Sequence, residues 1–218
     1  MPGRNKLLNK EKILKKVQLY AIADPGLCLN RDLIKLISLV IEGGAQMIQF
    51  RDKESSDKEF LEKAKGIQKI TRKKKIPLII NDRVDVAKLI DAEGVHLGED
   101  DLPVKEARRI LGSEKIIGAS ACDIKIAKLK EKEGVDYIGL GPIFKTSSKD
   151  IEKPLGVEIL KEANKILHIP FFPIGGINLS NLEQIISTGT KRIAVISAIF
   201  MAEDVRKATQ ELLKLLKL

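Results

Sequence analysis

Gln49, Arg51 and Lys53 alternate along the segment QFRDK at 49–53, so in extended backbone their side chains point the same way. Two cations and an amide on one face suit a polyphosphate: arginine makes a forked contact with phosphate oxygens and lysine adds a point charge. Further apolar runs end in Asn81-Asp82-Arg83 and in His96-Leu97-Gly98-Glu99-Asp100-Asp101. Carboxylates on neighbouring strand ends can meet on one hard cation. Magnesium takes one or two protein carboxylates and completes its shell with water and phosphate oxygens. Asp82 with one of Asp100 or Asp101 therefore reads as a Mg²⁺–diphosphate clamp, a role compatible with helix capping at the same positions. His96 falls inside a strand pattern and reads as a hydrogen-bonded structural histidine; His168 receives no role. Ser120, in Gly118-Ala119-Ser120, sits at a rim where it can donate a hydrogen bond. No base accompanies it in the sequence, which argues against a serine nucleophile.

A second set lies further along. Residues 141–155 form a long loop whose tip carries Lys145, Thr146, Ser147, Ser148 and Lys149, hydroxyls and ammonium groups suited to phosphate. Gly175-Gly176-Ile177 and, twenty residues on, Ile196-Ser197-Ala198-Ile199 follow the last two apolar runs. Glycines there let backbone N–H groups approach an anion closely, and a short helix can start at Ser197. The residues thus outline a metal-assisted diphosphate site and a monophosphate site. A reaction that needs neither nucleophile nor redox cofactor is displacement of diphosphate, its leaving group stabilised by Mg²⁺ and cations.

These residues need a scaffold that gathers strand ends. Buried strand runs fall at 17–23, 45–50, 78–81, 94–97, 115–118, 135–140, 171–174 and 192–196, separated by amphipathic helical stretches. The first helix shows Leu33, Ile34, Ile37, Val40 and Ile41 on one face and stops at Gly43-Gly44. Ser56 or Asp57, Pro103 and Asp123 suit later helix starts. Eight βα units without a linker fit a closed α/β fold, a single-domain (β/α)8 TIM barrel over 17–218. A doubly wound sheet is the alternative, but the turn after the first strand, Asp24-Pro25-Gly26-Leu27-Cys28, lacks the GxGxxG it would need.

Composition narrows the setting. The chain has 218 residues and a formal charge of +9. Residues 1–16 hold six bases and one acid, a local +5, and read as a basic, solvated or disordered N-terminal extension. Two distant cysteines, Cys28 and Cys122, argue against a disulfide framework and a thiolate zinc site. No apolar run approaches the ~20 residues of a membrane span, and the N-terminus lacks a secretory apolar core. A cytoplasmic protein with no membrane partner is the expectation.

The motifs QFRDK (49–53), INDRVDVA (80–87), GVHLGEDDLP (94–103), GAS (118–120), DYIGLGPIFKTSSK (136–149), GGI (175–177) and VISAI (195–199) together resemble the thiamine-phosphate synthase family in order and spacing. The resemblance covers about residues 17–215. It implies a transferase that joins hydroxymethylpyrimidine diphosphate to a thiazole phosphate, or its carboxylated form. The products are thiamine phosphate and pyrophosphate. It also implies a dissociative course: diphosphate leaves first and the thiazole nitrogen traps the pyrimidine cation. Position by position it implies that Gln49, Arg51, Lys53, Asn81, Ser120 and Lys149 bind the pyrimidine diphosphate, with Arg51, Lys53, Ser120 and Lys149 catalytic. Asp82 and Asp101 would hold one Mg²⁺. Thr146, Ser147, Ser148, Gly176, Ile196 and Ser197 would bind the thiazole phosphate. Lys145 and Ser148 depart from the family's usual proline and threonine. Small-molecule partners are implied, and a homo-oligomer is left open.

Two rivals set the limits of this reading. A related thiazole tautomerase shares the barrel and the thiazole-phosphate end but needs no diphosphate clamp. A nucleic-acid-binding module could use the basic leader, yet no Trp, two Tyr and six Phe leave little for base stacking.

Overall fold

In a computed structural model of the chain, which describes residues 3–146 and 153–217, the alternating pattern becomes eight parallel strands. They are β1 (Leu19–Ala23), β2 (Met47–Phe50), β3 (Leu78–Asn81), β4 (Gly94–Leu97), β5 (Ile116–Ala121), β6 (Tyr137–Leu140), β7 (Phe171–Pro173) and β8 (Ile193–Val195). Each strand from β1 to β6 pairs with its successor, and β8 returns to β1 through Leu19↔Ile193. β7 and β8 meet at the seam, so the sheet is a nearly closed barrel. This sequential order overturns the doubly wound alternative, in which strand order reverses at the centre.

The helices follow their strands. After α1 (Gly3–Lys16) come α2 (Leu33–Glu42), α3 (Asp57–Lys74), α4 (Val84–Leu89), α5 (Val104–Leu111), α6 (Ile124–Glu133), α7 (Glu158–Ile166), α8 (Leu182–Ile186), α9 (Ser197–Phe200) and α10 (Val205–Leu216). The extra short helix after β8, expected at Ser197, is α9. Among the described residues no helix is long and apolar enough to cross a membrane.

The period-2 alternation of strand side chains sorts the interior. One set, including Leu19, Ala21, Ile48, Phe50, Leu78, Ile80, Val95 and Leu97, packs outward against the helices. The other, including Tyr20, Ile22, Met47, Ile79, Ile116, Tyr137, Phe172 and Ala194, fills the barrel. Tyr20, Tyr137 and Phe172 meet edge to face with centroids 5.5–5.7 Å apart. Gly118 makes this fit possible, because a Cβ there would lie 2.1 Å from Tyr137 Cζ.

Several boundaries move for local reasons. β2 and β6 start two residues later than expected, because the N–H groups of Ala45 and Val135 still bond to Val40 and Lys130 in the preceding helices. β5 runs on to Ala121, since Ser120↔Gly139 and Ala121↔Leu140 extend its ladder with β6; Ser120 is thus a strand residue.

The largest correction concerns the basic leader. Its last turns are helical and docked against the base of the barrel. Leu14 is buried in the inner cluster, and the Lys10 ammonium reaches Ser113 O and Asp136 at 2.8 Å each. Asp136 also accepts from Arg108 and from the Ile117 N–H, each at 2.8 Å. The buried face of α1 contains a lysine, so a search for apolar periodicity passes over it.

Candidate active site

The C-terminal ends of the strands surround a pocket of about 400 Å³. Gln49, Arg51, Lys53, Asn81, Asp82, Asp101, Ser120, Thr146, Gly176, Ile196 and Ser197 all line it. Ser147, Ser148 and Lys149 lie outside the described residues. Gln49 and Asn81 are inward positions of β2 and β3 and are buried. Arg51 and Lys53 follow β2, and each cation rests on a carboxylate: Arg51 on Asp24, Lys53 on Asp82.

Asp82 begins the turn after β3 in left-handed backbone, φ 61°, a conformation costly for most residues and tolerated by Asp. Its N–H donates to His96 O at 2.8 Å, and its carboxyl hydrogen-bonds Asp101. Asp101 in turn accepts from the Gly98 N–H at 2.6 Å. Burial and the neighbouring Asp82 push the Asp101 carboxyl up to about 6. Burial would also raise Asp82, but its hydrogen bonds with Asp101 and Lys53 outweigh it and hold Asp82 below the usual range. Asp101 therefore holds its proton more readily than an ordinary aspartate, and Asp82 gives its proton up more readily. Their hard oxygen donors fit Mg²⁺, which needs few protein ligands when phosphate and water supply the rest. Among the described residues no group of three or more His, Cys, Asp or Glu is placed to hold a metal.

On the opposite side, Gly175 and Gly176 hold φ 95° and 67°. A Cβ on Gly176 would lie 2.4 Å from Lys145 O, and one on Gly175 2.4 Å from Pro142 Cβ. The loop after β6 and the turn after β7 thus pack backbone to backbone, with Thr146, Ile196 and Ser197 beside them in the pocket wall.

Sequence reasoning missed four supports. Asp24 holds Arg51. Asp52 accepts the N–H groups of Glu54 and Ser55, the Ser55 hydroxyl and the Lys63 ammonium, and so fixes the turn that carries Arg51 and Lys53. Tyr20 lines the bottom of the pocket and hydrogen-bonds the buried Tyr137, though both look like ordinary aromatic core in the sequence. Nor is Ser120 without an imidazole: His96 Nε2 lies 3.0 Å from its Oγ. The two come from neighbouring strands, with His96 opposite Gly118, and the inward alternation Gly94, His96 is the sequence signal that could have paired them.

The sequence profile of the thiamine monophosphate synthase family matches residues 19–199. A thiamine-phosphate synthase of Halalkalibacterium halodurans is 47% identical over 194 residues, covering 88% of this chain and 92% of the relative. One of Clostridium tetani is 46% identical over 194 residues, covering 89% and 93%. The solved thiamine phosphate pyrophosphorylase of Pyrococcus furiosus superposes with a TM-score of 0.86 at 39% identity, covering 94% of this chain and 98% of that one.

Proposed function

The chain belongs to the thiamine monophosphate synthase family, and from that premise we propose that it condenses hydroxymethylpyrimidine diphosphate with a thiazole phosphate, giving thiamine phosphate and pyrophosphate. The observation that carries this reading is the convergence on one pocket of a cation-and-carboxylate side and a glycine-and-hydroxyl side. A tautomerase would have no use for the first.

Gln49 and Asn81 orient the pyrimidine diphosphate from the floor. Arg51, Lys53 and Lys149 take up charge on the departing diphosphate, which competes with Asp24 for Arg51 and with Asp82 for Lys53. Asp82 and Asp101 would hold Mg²⁺, which when bound neutralises charge on the leaving group. Thr146, Ser147, Ser148, Gly176, Ile196 and Ser197 hold the thiazole phosphate, placing its ring nitrogen against the pyrimidine methylene carbon. The bond to diphosphate breaks first, and the nitrogen lone pair closes on the cationic carbon. No protein nucleophile is required. Small molecules are the partners, the cytoplasm the setting, and nucleic acid plays no part.

The test supplies both substrates with and without Mg²⁺ and follows pyrophosphate and thiamine phosphate together. Equimolar, Mg²⁺-dependent release is expected, and Asp82→Ala or Lys149→Ala lowers it at least about tenfold. No Mg²⁺-dependent release would refute the functional reading; near-normal turnover in both variants would refute the clamp.

A further inference from the structure

A line of hydrogen bonds crosses beneath the pocket floor, linking two of its polar walls. Gln49 Nε2 donates to Tyr20 OH at 2.6 Å; Tyr20 OH and Tyr137 OH are 2.8 Å apart; Tyr137 OH is 3.0 Å from His96 Nδ1; His96 Nε2 is 3.0 Å from Ser120 Oγ. Gln49, Tyr20, Tyr137 and His96 are all buried. Burial pushes both phenols well above their ordinary range, so each keeps its proton and must place it.

We propose that Tyr137 is a positioning residue for Ser120: the line runs one way, from Gln49 through Tyr20, Tyr137 and His96, and turns the Ser120 hydroxyl proton toward the pocket. The direction follows from counting donors. Gln49 fills one acceptor site of the Tyr20 oxygen, and the Tyr20 proton then goes to Tyr137. Tyr137, having accepted, donates to His96 Nδ1. A neutral imidazole that accepts at Nδ1 carries its proton on Nε2, so His96 donates to Ser120. Run in reverse, with the Gln49 amide still donating, the line would leave the Tyr20 proton buried with no acceptor in it. His96 therefore cannot act as a base toward Ser120. Ser120 meets the substrate as a hydrogen-bond donor, able to reach an acceptor atom on the bound pyrimidine diphosphate. This last step rests on the proposed function; the polarity of the line does not.

The histidine tautomer is the direct readout. The sequence holds only His96 and His168, so a ¹⁵N-labelled full-length chain gives two ring systems, assigned with a His168→Gln variant. The expected wild-type spectrum has the His96 proton on Nε2. Tyr137→Phe, which removes one oxygen, should populate both tautomers, as should Gln49→Met, which withdraws the donor that sets the direction. Should Tyr137→Phe fail to fold, Gln49→Met reads the same quantity. In turnover, Tyr137→Phe should lower kcat about tenfold with KM for both substrates within about twofold, since the oriented hydroxyl matters most in the transition state. A wild-type proton on Nδ1, an unchanged ring in both variants, or a tautomer shift with unaltered kcat would overturn the proposal. A chain that makes no thiamine phosphate while His96 keeps its Nε2 proton would refute the function and support the polarity.

Discussion

Asp52 stands between Arg51 and Lys53 and binds the turn rather than the pocket. Burial would raise its carboxyl, but hydrogen bonds from the Ser55 hydroxyl, Lys63 and the backbone N–H groups of Ser55 and Glu54 pull it down to about 2. A folded-state value below the ordinary one means stabilisation that is complete above about pH 4 and is lost as pH falls through about 2. Asp52→Asn should therefore lower the melting temperature most near neutrality, with the gap to wild type closing toward pH 2. A gap that stays constant over that range would remove the charge from the explanation. The glycines give a second residue-scale contrast. Gly176→Ala combines φ 67° with a Cβ 2.4 Å from Lys145 O, whereas Gly112 has φ 89° and open space around it. Denaturant unfolding should show a loss of about 1–3 kcal/mol for Gly112→Ala, from backbone strain alone, since its φ 89° and ψ 173° are essentially restricted to glycine. The loss for Gly176→Ala should be larger, and only that variant should raise KM for the thiazole phosphate.

At the scale of elements, α3 opens directly after the Arg51–Lys53 turn with a capping box: the Ser56 hydroxyl accepts the Glu59 N–H, and the Glu59 carboxylate accepts the Ser56 N–H. Ser56→Ala should cost about 1 kcal/mol in thermal unfolding; a neutral result would mean the turn is held by Asp52 alone. Elements whose signals are local were readable in the chain. β3 and β4 fall at their expected residues because Leu78-Ile79-Ile80 and Val95-His96-Leu97 are short runs buried on both faces and bounded by turns. The pocket-lining residues were readable for a related reason, since QFRDK and GGI place polar groups and glycines at strand ends that the barrel must gather. What stayed hidden is set by neighbours distant in sequence. No local pattern tells a core tyrosine from Tyr137, whose hydroxyl meets Tyr20 across 117 residues. Nor does any pattern show that Asp24 will meet Arg51, or that Lys10 will find Asp136.

The whole molecule separates stability from chemistry along the barrel axis. The pocket occupies one end; α1, Leu14 and the Lys10–Asp136–Arg108 network occupy the other, with the Tyr20–Tyr137–Phe172 layer between them. Leu14→Ala should cost about 2–4 kcal/mol by leaving a cavity among well-packed aromatics. At ambient temperature its kcat and KM should remain within about twofold of wild type; a selective loss of kcat would show that the two ends communicate.

The position of α1 also orders events in time. It is synthesised before the other helices of the barrel, yet the long-range polar partners of its buried face are made much later: Ser113, Asp136 and the Arg192 guanidinium that reaches Leu14 O. During vectorial synthesis this segment must wait, tethered and basic, while the strands that receive it are added one by one. A segment made ahead of the strands it caps is therefore among the last to dock, and the contact from Leu14 O to Arg192 closes a loop that spans most of the chain.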